Sequence, residues 1–134
     1  MKKVLAFLAM SFAVAGNAHA CQFSWYHYGE DSTRALIAQE IGSHVSDEYC
    51  ARFNAKHQLF IQSTAYVLNN VVIGHSIVGI RPRGSKVHPA ETFTMVSYDT
   101  AGRTSGDAQR LAVRATVRAL DNLMSELKTY KVSE

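Results

Sequence analysis

The amino-acid sequence predicts an α+β fold: a two-layer sandwich in which a helix, a three-stranded antiparallel meander and a second helix follow one another. Three observations lead there. Ile37, Ile41, Val45 and Tyr49 recur at the spacing of one helix face. Residues 59–68 and 71–81 are rich in β-branched and aromatic side chains, with Asn69-Asn70 between them. Val113, Val117, Leu120, Met124 and Leu127 then return to a helical period. The chain has 134 residues, the size of one domain. With 47% hydrophobic and 19% charged residues it has the composition of a packed globular protein, not of a disordered one. Two cysteines are too few for a disulfide-built miniprotein.

Residues 1–20 read as an address. Lys2 and Lys3 precede an apolar run from Val4 to Ala15, and Ala18-His19-Ala20 places small residues at both positions that define a cleavage site. This is the pattern of a cleaved secretory signal peptide. The apolar run is shorter than the about 20 residues that cross a bilayer. Cleavage after Ala20 removes Lys2 and Lys3 and takes the formal charge from +3 to +1. Whole-chain basicity is therefore no argument for a nucleic-acid partner.

Cys21 and Cys50 are the only cysteines. Export places them where disulfides persist, and a bridge would tie the mature N-terminus to the end of the first helix. Closing that loop would stabilise the chain by about 3 kcal/mol in the chain-entropy model. The rival is a lipid acceptor, because a Cys directly after the cleavage point resembles bacterial lipoproteins. Ala18 and His19 depart from the lipoprotein pattern.

Along the mature chain, residues 21–30 read as an aromatic arm packed on the domain, 31–130 as a single α+β domain, and 131–134 as a tail. Asp31 or Ser32 caps a helix running to about Asn54. Leu59 to Leu68 is a strand, and Asn69-Asn70 tolerates the left-handed backbone of a tight hairpin. Val71 to Arg81 is the return strand, in which Gly74 and Gly79 mark a bulge or a close approach. Pro82 opens a loop over 82–90, and Thr92 to Tyr98 is the third strand. Thr104 to Asp107 reads as a capping box for a helix to about Tyr130.

The chemistry-bearing residues form no familiar set. His27, His44, His57, His75 and His88 lack the spacings of helical metal sites, and no metal or cofactor is expected. There is no nucleophile elbow and no phosphate-binding glycine motif. The Gly102–Gly106 loop precedes a helix and offers N–H groups to an anion, but its capping role accounts for all of it except Arg103. Glu91 and Asp99 flank the third strand and do not mark a glycosidase. No catalytic residue is assigned.

Charge is more informative. Between Arg52 and Arg118 only Glu91, Asp99 and Asp107 oppose the basic residues, whereas acids dominate 30–48. Arg110, Arg114 and Arg118 form one helical stripe of like charges, which repel unless a partner or solvent takes them up. That partner is external, or internal through Glu40, Asp47 or Glu48. Arg81, Arg83 and Lys86 add a basic loop, and Trp25, Tyr26 and Tyr28 add aromatic residues of the kind that anchor interfaces. The reading is an exported, periplasmic or secreted, non-enzymatic binding protein of the inhibitor, immunity or envelope-assembly type. Its binding surface is expected to combine these residues. The alternatives are a binder of anionic envelope polymer such as glycan or lipopolysaccharide, and a small hydrolase with an unrecognised site.

Overall fold

A computed structural model describes residues 21–132; residues 1–20, expected to be a signal peptide, and the last two residues of the expected tail lie outside the described residues. The chain folds as helices layered on one face of a sheet. Four strands form that sheet, β1 (Trp25–Tyr28), β2 (His57–Leu68), β3 (Val71–Pro82) and β4 (Thr92–Asp99), in the order β1-β2-β3-β4. The meander β2-β3-β4 is antiparallel throughout, as the sequence predicts. The fourth strand is the correction. The aromatic arm, expected to pack on the domain without joining the sheet, is an edge strand that pairs parallel to β2, with Trp25 opposite Leu59 and Tyr28 opposite Gln62. Its four residues are too short to show a period, so sequence alone leaves them unassigned.

The first predicted helix is interrupted. It becomes α1 (Asp31–Glu40), a 3-10 turn at Ile41–His44, and α2 (Asp47–Arg52). Val45 and Ser46 are extended, and the Ser46 hydroxyl caps α2 by accepting from Tyr49 N at 3.2 Å. The apolar stripe still finds the core, because Ile37, Ile41, Val45 and Tyr49 are all buried. The Cys21–Cys50 disulfide forms, with a Cα–Cα distance of 5.9 Å, and ties the approach to β1 to α2. A thiol held in that bridge is not a lipid acceptor.

The last helix, α3 (Ser105–Ser125), starts at the predicted capping box. Thr104 accepts from Asp107 N, and the Asp107 carboxylate accepts from Thr104 N at 3.0 Å. It ends earlier than predicted, and turns carry the chain to Tyr130. Its deepest face is shifted from the predicted stripe, of which Leu120 and Leu127 are buried. Ala108, Ala112, Ala115 and Ala119 are buried, while Val113, Val117 and Met124 are half-buried at its flank. Close packing selects the small side chains. A Cβ on Gly74 of β3 would lie 2.0 Å from the backbone N of Ala112, so helix and strand meet backbone to backbone. Thr116 adds a buried hydrogen bond to Ser76 at 2.8 Å. Leu59, Ile61, Val78 and Ile80 complete the core beneath Leu120, Leu123 and Leu127.

Candidate functional site

Strand alternation decides which residues reach the other face of the sheet. Leu59 and Ile61 point into the helical layer, so Gln58, Phe60 and Gln62 point away from it. The register then aligns side chains in rows across this face: Tyr28, Gln62, Ile77 and Thr94; Thr64, His75 and Val96; Tyr66, Ile73 and Tyr98. Among the described residues no helix covers them. Tyr28 is 63% exposed and Tyr98 72%. Isolated apolar residues on a surface are ordinary; these are contiguous on one sheet face.

At the β1 end of the face the loop after β3 folds back and makes a cleft of about 540 Å3. Tyr26, Tyr28 and Phe60 supply its aromatic lining, and Gln62, Lys86 and His88 its polar one. The loop is seated by two contacts. A Cβ on Gly79 would lie 2.7 Å from Pro89 Cβ, and His88 meets the Phe60 ring edge-on at 4.9 Å between centroids.

Arg81 sits within this cleft and is only 5% exposed. Its guanidinium lies 4.6 Å from the Tyr26 ring centroid and 5.1 Å from that of Phe60, a double cation–π contact. With its carboxamide oxygen turned toward the guanidinium, Gln58 accepts from Nε at 3.0 Å and from Nη2 at 3.2 Å. A long contact of 3.5 Å runs from Nη1 to the Val87 carbonyl. Among the described residues no carboxylate forms an ion pair with Arg81. A buried cation held by rings and neutral acceptors alone is uncommon, because desolvation of the charge is left uncompensated by an opposite one.

The structure divides the surface expected from sequence. Tyr26, Tyr28, Arg81 and Lys86 meet at the cleft. Trp25 does not join them. It alternates to the helical side, half-buried against the core, with the Arg34 guanidinium 5.4 Å from its ring. Arg83 is exposed, and its Nε donates to the His57 carbonyl at 3.2 Å and its Nη2 to the carbonyl and side chain of Asn54. Arg110, Arg114 and Arg118 lie on α3, in the layer opposite the cleft. Arg110 pairs with Asp107 on its own helix, and Arg114 and Arg118 are solvent-exposed. The acids proposed as internal partners on the first helical segment do not pair with the stripe; Glu48 pairs with Arg52 instead.

The histidines remain dispersed. His44 contacts Asp121 at 2.7 Å, His57 reaches the Phe53 carbonyl, and His75 lies on the open face. Among the described residues no group of three or more potential ligands could hold a metal ion. His27 Nε2 lies 2.7 Å from Ser63 Oγ, a base–hydroxyl pair that no sequence motif marks. Burial, and then the Arg34 charge, hold the His27 ring below its ordinary pKa, against an opposing pull from Asp31. Ser63 is buried, and among the described residues no carboxylate hydrogen-bonds the His27 ring. The pair satisfies a buried hydroxyl and a half-buried ring nitrogen, and among the described residues it lacks the third member that orients a catalytic base.

Sequence reasoning missed Gln58, Phe60, Gln62, Tyr66 and Tyr98, and singled out His88 only as a histidine without metal-site spacing. The signal was present: positions 58, 60, 62, 64 and 66 carry amide, aromatic and hydroxyl side chains, whereas 59 and 61 are aliphatic. Such alternation marks a strand with one face out of the core. Compared with protein-family models, curated proteins and solved structures, the chain matches none.

Proposed function

We propose that this chain is an exported, non-enzymatic binding protein that engages another protein in the periplasm or outside the cell, of the inhibitor, immunity or envelope-assembly type. The open sheet face is the recognition surface. One observation carries this reading: Tyr26, Tyr28, Tyr66, Val96 and Tyr98 stand exposed on one face that, among the described residues, no helix covers. Tyrosine gives large contact area for little lost side-chain freedom, which suits it to interface anchoring. The leader pattern at 1–20 and the Cys21–Cys50 bridge support export. Among the described residues no helix is long and apolar enough to cross a membrane.

The test begins with mature chain 21–134 as bait in envelope extract. The captured protein is identified by mass and the complex rebuilt from two purified components. Tyr98→Ala and Tyr28→Ala are expected to weaken the rebuilt complex. Changing Arg114 and Arg118 to Glu is expected to leave it intact. The reverse pattern would move recognition to the helical face.

A second reading, binding of anionic envelope polymer, draws on the exposed Arg114 and Arg118. It predicts steep loss of binding with added salt, which an aromatic protein interface does not share.

A further inference from the structure

Arg81 has five N–H hydrogens. Gln58 takes those on Nε and on the adjacent side of Nη2, and the Val87 carbonyl faces Nη1. One hydrogen on each Nη has no acceptor among the described residues, and a fork of two guanidinium donors matches the two oxygens of a carboxylate. The fork belongs to a cation that is 5% exposed, held in place by Tyr26 and Phe60, and without an anionic partner among the described residues. The cleft around it contributes Lys86 and His88 and no acidic side chain. Such a site is preorganised for an anion: the desolvation and side-chain ordering of the arginine are already met before a ligand arrives.

We propose that this cleft receives an acidic side chain of the protein partner, its carboxylate seated end-on on Arg81 and its methylene stem against Tyr26, Tyr28 and Phe60. The assignment rests on the reading of the open face as a protein-binding surface. Two features favour a protein over a polysaccharide. A guanidinium so little exposed is reached by a single group on a flexible stem more easily than by a carboxylate fixed to a sugar ring. Beyond the rim, past the row of Thr64, His75 and Val96, the same face carries Tyr66, Ile73 and Tyr98, exposed apolar surface of the kind that protein interfaces bury.

The experiment measures binding of three probes to mature 21–134, following the Arg81 Nε–H resonance as well as affinity. The probes are acetyl-Leu-Glu-Leu-amide, its Gln counterpart, and tri-galacturonate. The Glu peptide is expected to shift the Arg81 resonance and to bind about ten- to a hundredfold more tightly than the Gln peptide, the range of one charge-assisted hydrogen-bonded pair. Arg81→Lys, which keeps the charge and loses the fork, is expected to abolish that difference. Should Arg81→Lys fold poorly, Tyr28→Ala, at an exposed position, is expected to weaken the Glu peptide by severalfold without altering the melting temperature. Equal affinity for the two peptides, absence of binding by all three probes, or preference for tri-galacturonate would each overturn the assignment. A rebuilt partner complex that survives Arg81→Lys and is lost with Tyr98→Ala would remove the carboxylate site while leaving the open-face reading in place.

Discussion

The hydroxyl of Tyr130 accepts a hydrogen bond from the backbone N–H of Ile80 at 2.8 Å and donates to the carbonyl of Glu91. Ile80 lies one residue past the last β3–β4 pair, Gly79 with Thr92, so no β4 backbone reaches it. A side chain from the chain's C-terminal end therefore continues the ladder where β4 has not begun. Tyr130→Phe leaves a buried N–H without its acceptor and is expected to lower stability by about 1–3 kcal/mol. Urea denaturation of the two forms checks this, and a change within error would mean that water replaces the hydroxyl.

Gly74 and Gly42 predict opposite responses to the same substitution. A Cβ at Gly74 would collide with the backbone of α3 at Leu111 and Ala112, and α3 lies across the core. Gly74→Ala is expected to cost about 3 kcal/mol or more, because the helix as a unit has to shift. Around Gly42 nothing lies within 4 Å of the added atom. Gly42→Ala is expected to stabilise by about 0.4–1 kcal/mol through the unfolded chain. Midpoints of thermal unfolding for both variants test the pair together.

Tyr49 is fully buried, and its hydroxyl finds no hydrogen-bond partner among the described residues. Burial raises its pKa above the ordinary tyrosine value. Tyr49→Phe keeps the ring and its stacking on Phe53 and removes an unsatisfied polar atom. The expected gain is about 1 kcal/mol, and a loss of that size would show that the hydroxyl is bonded in solution.

Two groups contribute to the pH response on the acid side. His27 is held below its ordinary value of 6.5, so the unfolded chain takes up a proton first. Its contribution to stability is full above 6.5 and falls as pH drops below that value. Asp107 is held down at about 2, against 3.8 when unperturbed, chiefly by the backbone N–H groups of Arg103 and Thr104. Its contribution is present above 3.8 and is lost as pH falls through about 2. Denaturation midpoints between pH 8 and pH 2 should decline in two stages (a scan range chosen to span both transitions). His27→Gln should flatten the first stage and Asp107→Asn the second.

The meander and the last helix were legible because their signals are local: β-branched runs, an Asn pair with Asn69 at φ 50°, and a capping box. Three things were not. β1 is set by pairing with a strand more than a helix away in sequence, and four residues carry no period of their own. The break at Val45–Ser46 keeps every residue of the apolar stripe buried, so periodicity cannot reveal it. The buried alanine face of α3 follows from the absence of a side chain at Gly74, a fact about the facing strand. The candidate site shares this difficulty. Arg81 and Lys86 stood out as charges, but their separation from the α3 arginines depends on which sheet face each element occupies.

The cleft draws its walls from distant parts of the chain: Tyr26 and Tyr28 from β1, Phe60 from β2, Arg81 from β3 and Lys86 from the loop beyond. Only β1 arrives by a long-range parallel pairing; the other strands are hairpin neighbours. Loop-closure entropy favours the meander, so the cleft is expected to be completed last, when the edge strand docks and the bridge to Cys50 closes. The same strand is the first to leave in a partial opening, so amide exchange at Tyr26 and Tyr28 should outpace that at Phe60 and Ile61.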